Sequence, residues 1–105
     1  MDDTSIKKIF ITADHQLDKS DEIENGNTDV IVILEDGHKY TASFFTYAYI
    51  DHMKIRNRMS GEFLGGKYFW GKNMVVVESC SPEVISPVVK HIIDEGEFND
   101  VFRML

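Results

Sequence analysis

The side chains in this sequence that could do chemistry are four histidines, one cysteine and several clustered carboxylates. The histidines are His15, His38, His52 and His91, and no two of them stand two or four residues apart. Two imidazoles need such a spacing to direct nitrogen ligands at one metal ion from a single strand or helix. We therefore expect no metal site and no cofactor.

Three other arrangements are candidates for catalysis. Asp51 directly precedes His52, but neighbouring residues of a helix point about 100° apart, so this carboxylate cannot orient this imidazole. Cys80 stands at a predicted helix start, where the dipole would activate a thiol, although a lone cysteine ending a strand is more commonly a small core residue. The acids around Gly96 are more typical of a hydrated turn than of a catalytic pair. We expect no catalytic residue and no enzymatic activity.

Residues 54–72 mix cations with aromatic rings. The members of this basic and aromatic segment are Lys54, Arg56, Arg58, Phe63, Lys67, Tyr68, Phe69, Trp70 and Lys72. Aromatic faces can stack on bases while cations follow the phosphates, so a single-stranded nucleic-acid-binding domain is the alternative function. Two observations oppose a nucleic-acid partner: the chain is acidic, and the three consecutive aromatic residues lead into a predicted strand, so that at least one of them must face the core.

Length and composition predict one folded domain, residues 1–105, with 43% hydrophobic residues. The net charge of −7 repels phosphate backbones and anionic membranes, and it favours a basic partner. The acids concentrate at the two ends of the chain, whereas the middle is mildly basic.

The single cysteine permits no internal disulfide, which fits a reducing compartment. The beginning of the sequence lacks the apolar run of a secretory signal, and no apolar stretch approaches the roughly 20 residues of a membrane span. These features predict a cytoplasmic protein with no membrane contact.

The first half of the chain reads as strands. Residues 6–12 are rich in β-branched and aromatic side chains and predict a first strand. Residues 14–28 are polar and acidic and predict a flexible solvated loop. Residues 29–45 then form two β-rich runs on either side of Asp36-Gly37, the first of them apolar on both faces, which predicts a hairpin with a tight type I′ turn.

The second half is mainly helical. Residues 47–59 predict a helix that ends at Gly61, and residues 74–78 predict a doubly apolar strand. A further helix begins at Ser81-Pro82 and ends at Gly96, and its internal Pro87 either kinks it or starts it anew. Residues 98–105 have the i, i+3, i+4, i+7 apolar spacing of a short helix.

This order of elements predicts an α+β domain. We expect a mainly antiparallel sheet of about four strands with two to three helices packed against it.

Four blocks of sequence carry a resemblance to a known group of proteins. They are "FFTY" at Phe44–Tyr47, "GKYFW" at Gly66–Trp70, "MVVV" at Met74–Val77 and "DEGEF" at Asp94–Phe98. In this order they resemble the small acidic immunity proteins of bacterial contact-dependent growth inhibition and other polymorphic toxin systems. The resemblance covers about residues 30–105 and contains no catalytic motif. It implies a protein that binds and neutralises a cognate toxin domain.

The resemblance and the charge together suggest which residues contact the partner. Nuclease toxins are basic because they hold phosphates, so carboxylates would steer the encounter with such a toxin. Exposed Tyr68 or Trp70 would anchor the interface. The candidate acids are Asp18, Asp21, Glu22, Glu24, Asp94, Glu95, Glu97 and Asp100. The alternative for each acid is that it only keeps a small domain soluble.

Overall fold

A five-stranded sheet forms the centre of the computed structural model, which describes residues 5–12 and 26–105. Its strands are β1 (Ile6–Ile11), β2 (Asn27–Leu34), β3 (Lys39–Thr46), β4 (Met74–Val77) and β5 (Arg103–Met104). The order is β1-β2-β3-β4. β4 and β5 share one edge of β3: β4 pairs with residues 43–46 and β5 with residues 40–41. Only β3 and β4 run parallel. The predicted α+β class with a mainly antiparallel sheet is confirmed.

Four helical segments accompany the sheet in the described part of the chain: α1 (Tyr47–Ser60), α2 (Glu62–Gly66), α3 (Pro82–Asp94) and α4 (Phe98–Val101). The hydroxyl of Thr46 accepts a hydrogen bond from the Tyr49 amide at 3.0 Å and so caps the first turn of α1. Gly61, with φ of 87°, ends α1 as predicted. α3 is one helix that continues through Pro87, so a new helix does not start at that residue.

The main core lies between one face of the sheet and the helices α3 and α4. Alternate residues of β2 and β3 point into it, so that Val30, Val32 and Phe44 are completely buried. The ring of Phe44 lies 6.1 Å from that of Phe102. Cys80 is also completely buried there, with its thiol 3.8 Å from the Phe44 carbonyl oxygen. The cysteine therefore belongs to the core.

The β2–β3 hairpin is confirmed, but its turn differs from the predicted one. The Leu34 amide donates to the His38 carbonyl, so residues 35–37 form a three-residue connection instead of a two-residue type I′ turn. The Asp36 carboxylate accepts hydrogen bonds from the His38 amide and ring, at 2.9 and 3.0 Å. These bonds, the amide first, hold the pKa of Asp36 below its ordinary value. This side-chain pairing favours the longer turn.

Two predicted boundaries are wrong. Most of the predicted 14–28 loop lies outside the described residues, but Asn27 and Thr28 belong to β2 because they pair with Phe45 and Phe44 of β3. The predicted helix 98–105 ends at Val101, and the chain then turns into β5. In both cases β3 offers a free backbone edge, and ladder hydrogen bonds with it outweigh the local preference of the sequence.

Candidate protein-binding surface

A second layer covers part of the other face of the sheet. Phe45 points away from the core that holds Phe44, because successive residues of a strand alternate between faces. Its ring lies 5.6 Å from that of Tyr49 in α1 and 5.8 Å from that of Phe69. Phe63 in turn lies 5.0 Å from Phe69. This small aromatic cluster holds α1, α2 and the loop after them against the sheet.

Helix α1 carries apolar side chains on two sides. Tyr49, Met53 and Asn57 recur every four residues and are half-buried or buried, so they form the inward stripe. Ile55 and Met59 are also four residues apart, but their side chains are 58% and 84% exposed. This outward stripe has no partner among the described residues.

The backbone of α2 is left-handed. Phe63, Leu64 and Gly65 have φ angles of 51°, 55° and 69°. For a residue with a Cβ this conformation costs roughly 1–2 kcal/mol. Burial does not offset this cost for Leu64, because its side chain is 70% exposed. The strained and exposed Leu64 makes this turn a candidate binding surface.

Close contact between α2 and α1 fixes the position of this strained turn. A Cβ placed on Gly66 would lie 2.6 Å from the Lys54 carbonyl oxygen and 3.2 Å from the Arg58 amide nitrogen. Only glycine permits this approach of the two backbones. This contact fixes the position of the α2 turn, which carries Leu64, relative to α1. The segment that leads to Trp70 begins there.

The side chains of the three consecutive aromatic residues after α2 point in different directions. Phe69 packs inward on Phe45 and Phe63, which meets the expectation that at least one of the three faces the core. Tyr68 and Trp70 point outward and are 50% and 63% exposed. We call the exposed set on this layer the aromatic surface; its members are Tyr47, Ile55, Met59, Leu64, Tyr68 and Trp70.

The predicted acidic contacts are not part of the aromatic surface. Asp94, Glu95, Glu97 and Asp100 are exposed at the end of α3 and in α4, in the layer on the other face of the sheet. Asp18, Asp21, Glu22 and Glu24 lie outside the described residues. The two layers meet at an open cleft of about 550 Å³ at the edge of β3, where Asp100 faces the segment containing Lys72. The structure thus groups Tyr68 with Trp70 but separates both from the α3–α4 carboxylates.

The other chemical candidates are dispersed. His38 pairs with Asp36 at 3.0 Å, and His91 lies 4.0 Å from Glu95 on the surface of α3. His52 is exposed on α1, while His15 is not among the described residues. Within residues 5–12 and 26–105, no group of three or more His, Cys, Asp or Glu could hold a metal ion.

Asn57 is an unusual member of the inward stripe. Its side chain is 1% exposed, and neither its oxygen nor its nitrogen has a hydrogen-bond partner among the described residues. A buried amide without a partner costs about 1–3 kcal/mol.

We predict that Asn57→Leu raises the free energy of unfolding by about 1–2 kcal/mol, because leucine fills a similar volume without an unpaired amide. Urea denaturation measures this change. The matched control is Asn99→Leu on exposed α4, which should stay within about 0.5 kcal/mol of the wild type. A loss of stability in Asn57→Leu would mean that the amide is hydrogen-bonded in solution.

Sequence reasoning found Tyr68 and Trp70 but missed Tyr47, Ile55, Met59 and Leu64. The signal for the helical pair was present, since Ile55 and Met59 are separated by four residues on the side away from Tyr49 and Met53. Leu64 had no such signal, because its exposure depends on the left-handed turn.

Comparisons with protein-family models, with curated proteins and with solved structures find no match to this chain. In the described part of the chain, no helix has the length and apolar character needed to cross a bilayer.

Proposed function

We propose that this protein is a non-enzymatic immunity protein that binds a bacterial toxin domain and neutralises it, and that the aromatic surface is its contact site. The observation that carries the proposal is the exposure of six large apolar or aromatic side chains on one layer of a small domain. The sequence resemblance supplies the class of partner. Cytoplasmic location is part of the proposal, since a chain with a single cysteine can form no internal disulfide and fits a reducing compartment.

The composition of the aromatic surface suits a protein partner. Trp and Tyr dominate the energy of protein interfaces, and a buried Trp or Tyr anchor contributes about 2 kcal/mol or more. Trp70 and Tyr68 are presented on a backbone that is already fixed by the Phe63–Phe69 contact and by Gly66. A preorganised anchor loses little conformational entropy on binding, which favours affinity.

The proposal gives the exposed acids a secondary role. Asp94, Glu95, Glu97 and Asp100 lie in the other layer, where they would act by long-range steering of a basic toxin rather than as anchors. Rim or remote charges change the association rate more than the dissociation rate.

Nucleic-acid binding is the competing proposal, because the cations of residues 54–72 are exposed together with Tyr68 and Trp70. The arrangement of these cations is poorly suited to nucleic-acid binding. Lys54 and Arg58 lie on one side of α1 while Arg56, two residues from each, points away from them. The cations of the helix therefore do not form a single track for a phosphate backbone.

Co-expression tests the proposed function. The protein is produced with the product of the adjacent upstream reading frame, and growth and complex formation are both measured. We expect rescue of growth and a stable complex with a one-to-one composition by light scattering. Toxicity that persists with no complex would remove the proposal, and tight binding to single-stranded DNA or RNA at low salt would replace it.

A further inference from the structure

The aromatic surface lies in a part of the chain whose charge is positive. Residues 47–73, which contain α1, α2 and the Trp70 loop, hold five Lys and Arg and two acids, a net charge of +3 in a chain of −7. The rest of the chain therefore carries −10. All five cations are exposed, and none has an acidic side chain within 4.0 Å among the described residues.

Three of these cations border the aromatic surface. Lys54 and Arg58 are one helical turn apart on α1, where the backbone of Gly66 in α2 meets them. Arg58 is three residues from Ile55 of the outward stripe. The ammonium of Lys67 lies 3.5 Å from the Leu64 carbonyl oxygen, which places it at the edge of the α2 turn. An apolar centre with a polar rim is the usual layout of a protein interface, and here the polar groups of the rim are basic.

We propose that the aromatic surface binds a protein surface that is apolar at its centre and acidic around it. This inference rests on the proposed function and specifies the partner: the toxin face that meets this layer is acidic, and it is not the phosphate-binding cleft of a nuclease. Complementary potentials favour such a pairing, whereas a basic toxin face would meet Lys54, Arg58 and Lys67 with like charge.

A protein fits this surface better than a polynucleotide. Ile55, Met59 and Leu64 form half of the aromatic surface, and aliphatic side chains gain by meeting apolar groups rather than phosphates. A polynucleotide long enough to use Lys72 as well would also approach Asp100, which lines the same cleft. The charge of −10 on the rest of the chain repels it further.

Trp70 provides a direct reporter of this site, because it is the only tryptophan and is 63% exposed. Three probes are titrated while Trp70 emission is followed. The first is an amphipathic helical peptide of about five turns with Leu and Phe on one face and Glu on the other. The second carries Lys in place of every Glu, and the third is single-stranded oligothymidylate of about 20 nucleotides.

We expect the acidic peptide to bind at least about tenfold more tightly than the basic peptide at low salt, with the difference reduced at high salt. Lys54→Glu and Lys67→Glu should each weaken the acidic peptide by about threefold to tenfold. The matched control is Lys90→Glu, which makes the same charge change at an exposed position of α3 and should leave binding unchanged.

Four results would overturn the inference. They are equal or tighter binding of the basic peptide, a preference for oligothymidylate, an unchanged Trp70 emission with all three probes, and an equal effect of Lys90→Glu and Lys67→Glu. The proposed function is judged separately by the co-expressed toxin. A stable toxin complex whose affinity is unaffected by Lys54→Glu and Lys67→Glu would leave the function standing and remove the acidic partner face.

Discussion

Replacing Gly66 by alanine is expected to destabilise the protein by about 3 kcal/mol. Two costs combine at this position. The residue has φ of 82°, where a Cβ costs roughly 1–2 kcal/mol, and the added Cβ would lie 2.6 Å from the Lys54 carbonyl oxygen. The atom it meets is backbone of α1, which cannot rotate away, so overpacking adds about 1–3 kcal/mol. In a thermal melt the midpoint should fall by roughly 12 °C or more.

Gly65→Ala separates the two costs. Gly65 also has a positive φ, 69°, but a Cβ there would meet nothing within 4 Å. Its alanine variant should lose only the conformational part, roughly 1–2 kcal/mol. Equal losses in the two variants would show that α2 does not pack against α1 as described, and the position of Leu64 and Trp70 would then need revision.

The second large effect concerns partner binding. Trp70→Ala should weaken the complex with the toxin domain by about 2–3 kcal/mol, or roughly 30-fold to 150-fold in Kd. The side chain makes no ring contact with another described residue and is mostly exposed, so the free energy of unfolding should change by less than about 0.5 kcal/mol. Calorimetric titration gives the affinity, and urea denaturation of the free protein gives the stability.

Phe69→Ala is the matched control, one residue away and also aromatic. Its ring packs on Phe45 and Phe63, so its loss should lower the free energy of unfolding by about 2–3 kcal/mol, below the 3–5 kcal/mol of a fully buried phenylalanine. Tyr68→Ala should weaken binding less than Trp70→Ala does and should also lower the free energy of unfolding slightly, because the Tyr68 ring lies 5.3 Å from that of Phe63. If Trp70→Ala lowers stability and leaves the toxin affinity intact, the aromatic surface is not the contact site.

These variants also bear on why the strained segment exists. Phe63 and Leu64 adopt a left-handed backbone that neither residue favours, and Asn57 below them buries an amide without a described partner. The two left-handed residues and the buried amide each lower stability, so selection for stability alone would remove them. Their concentration beside exposed Tyr68 and Trp70 is what a surface shaped for binding would show.

Only Tyr68 and Trp70 of the six members of the aromatic surface could be predicted from the sequence, and the sequence did not show which residues would lie together. Trp70 and Tyr68 were identifiable because three consecutive aromatics cannot all face a core. The acids near Gly96 were equally visible, yet the chain passes through the sheet as β4 before it reaches α3 in the other layer, so these acids lie apart from the two rings. The spacing of residues within a segment does not determine which face of the sheet that segment covers.

Local sequence determined the elements whose signals are internal to the segment. The β2–β3 hairpin, the cap of α1 at Thr46 and its end at Gly61, and the doubly apolar β4 all follow from alternation, side-chain hydrogen bonding or backbone freedom within a few residues. Tertiary structure alone decided the start of β2 at Asn27, the β5 strand after Val101, and the outward direction of Leu64. Each of these depends on a partner distant in the chain, a free edge of β3 or the backbone of α1, and a short segment adopts the conformation that satisfies such a partner rather than its own weaker preference.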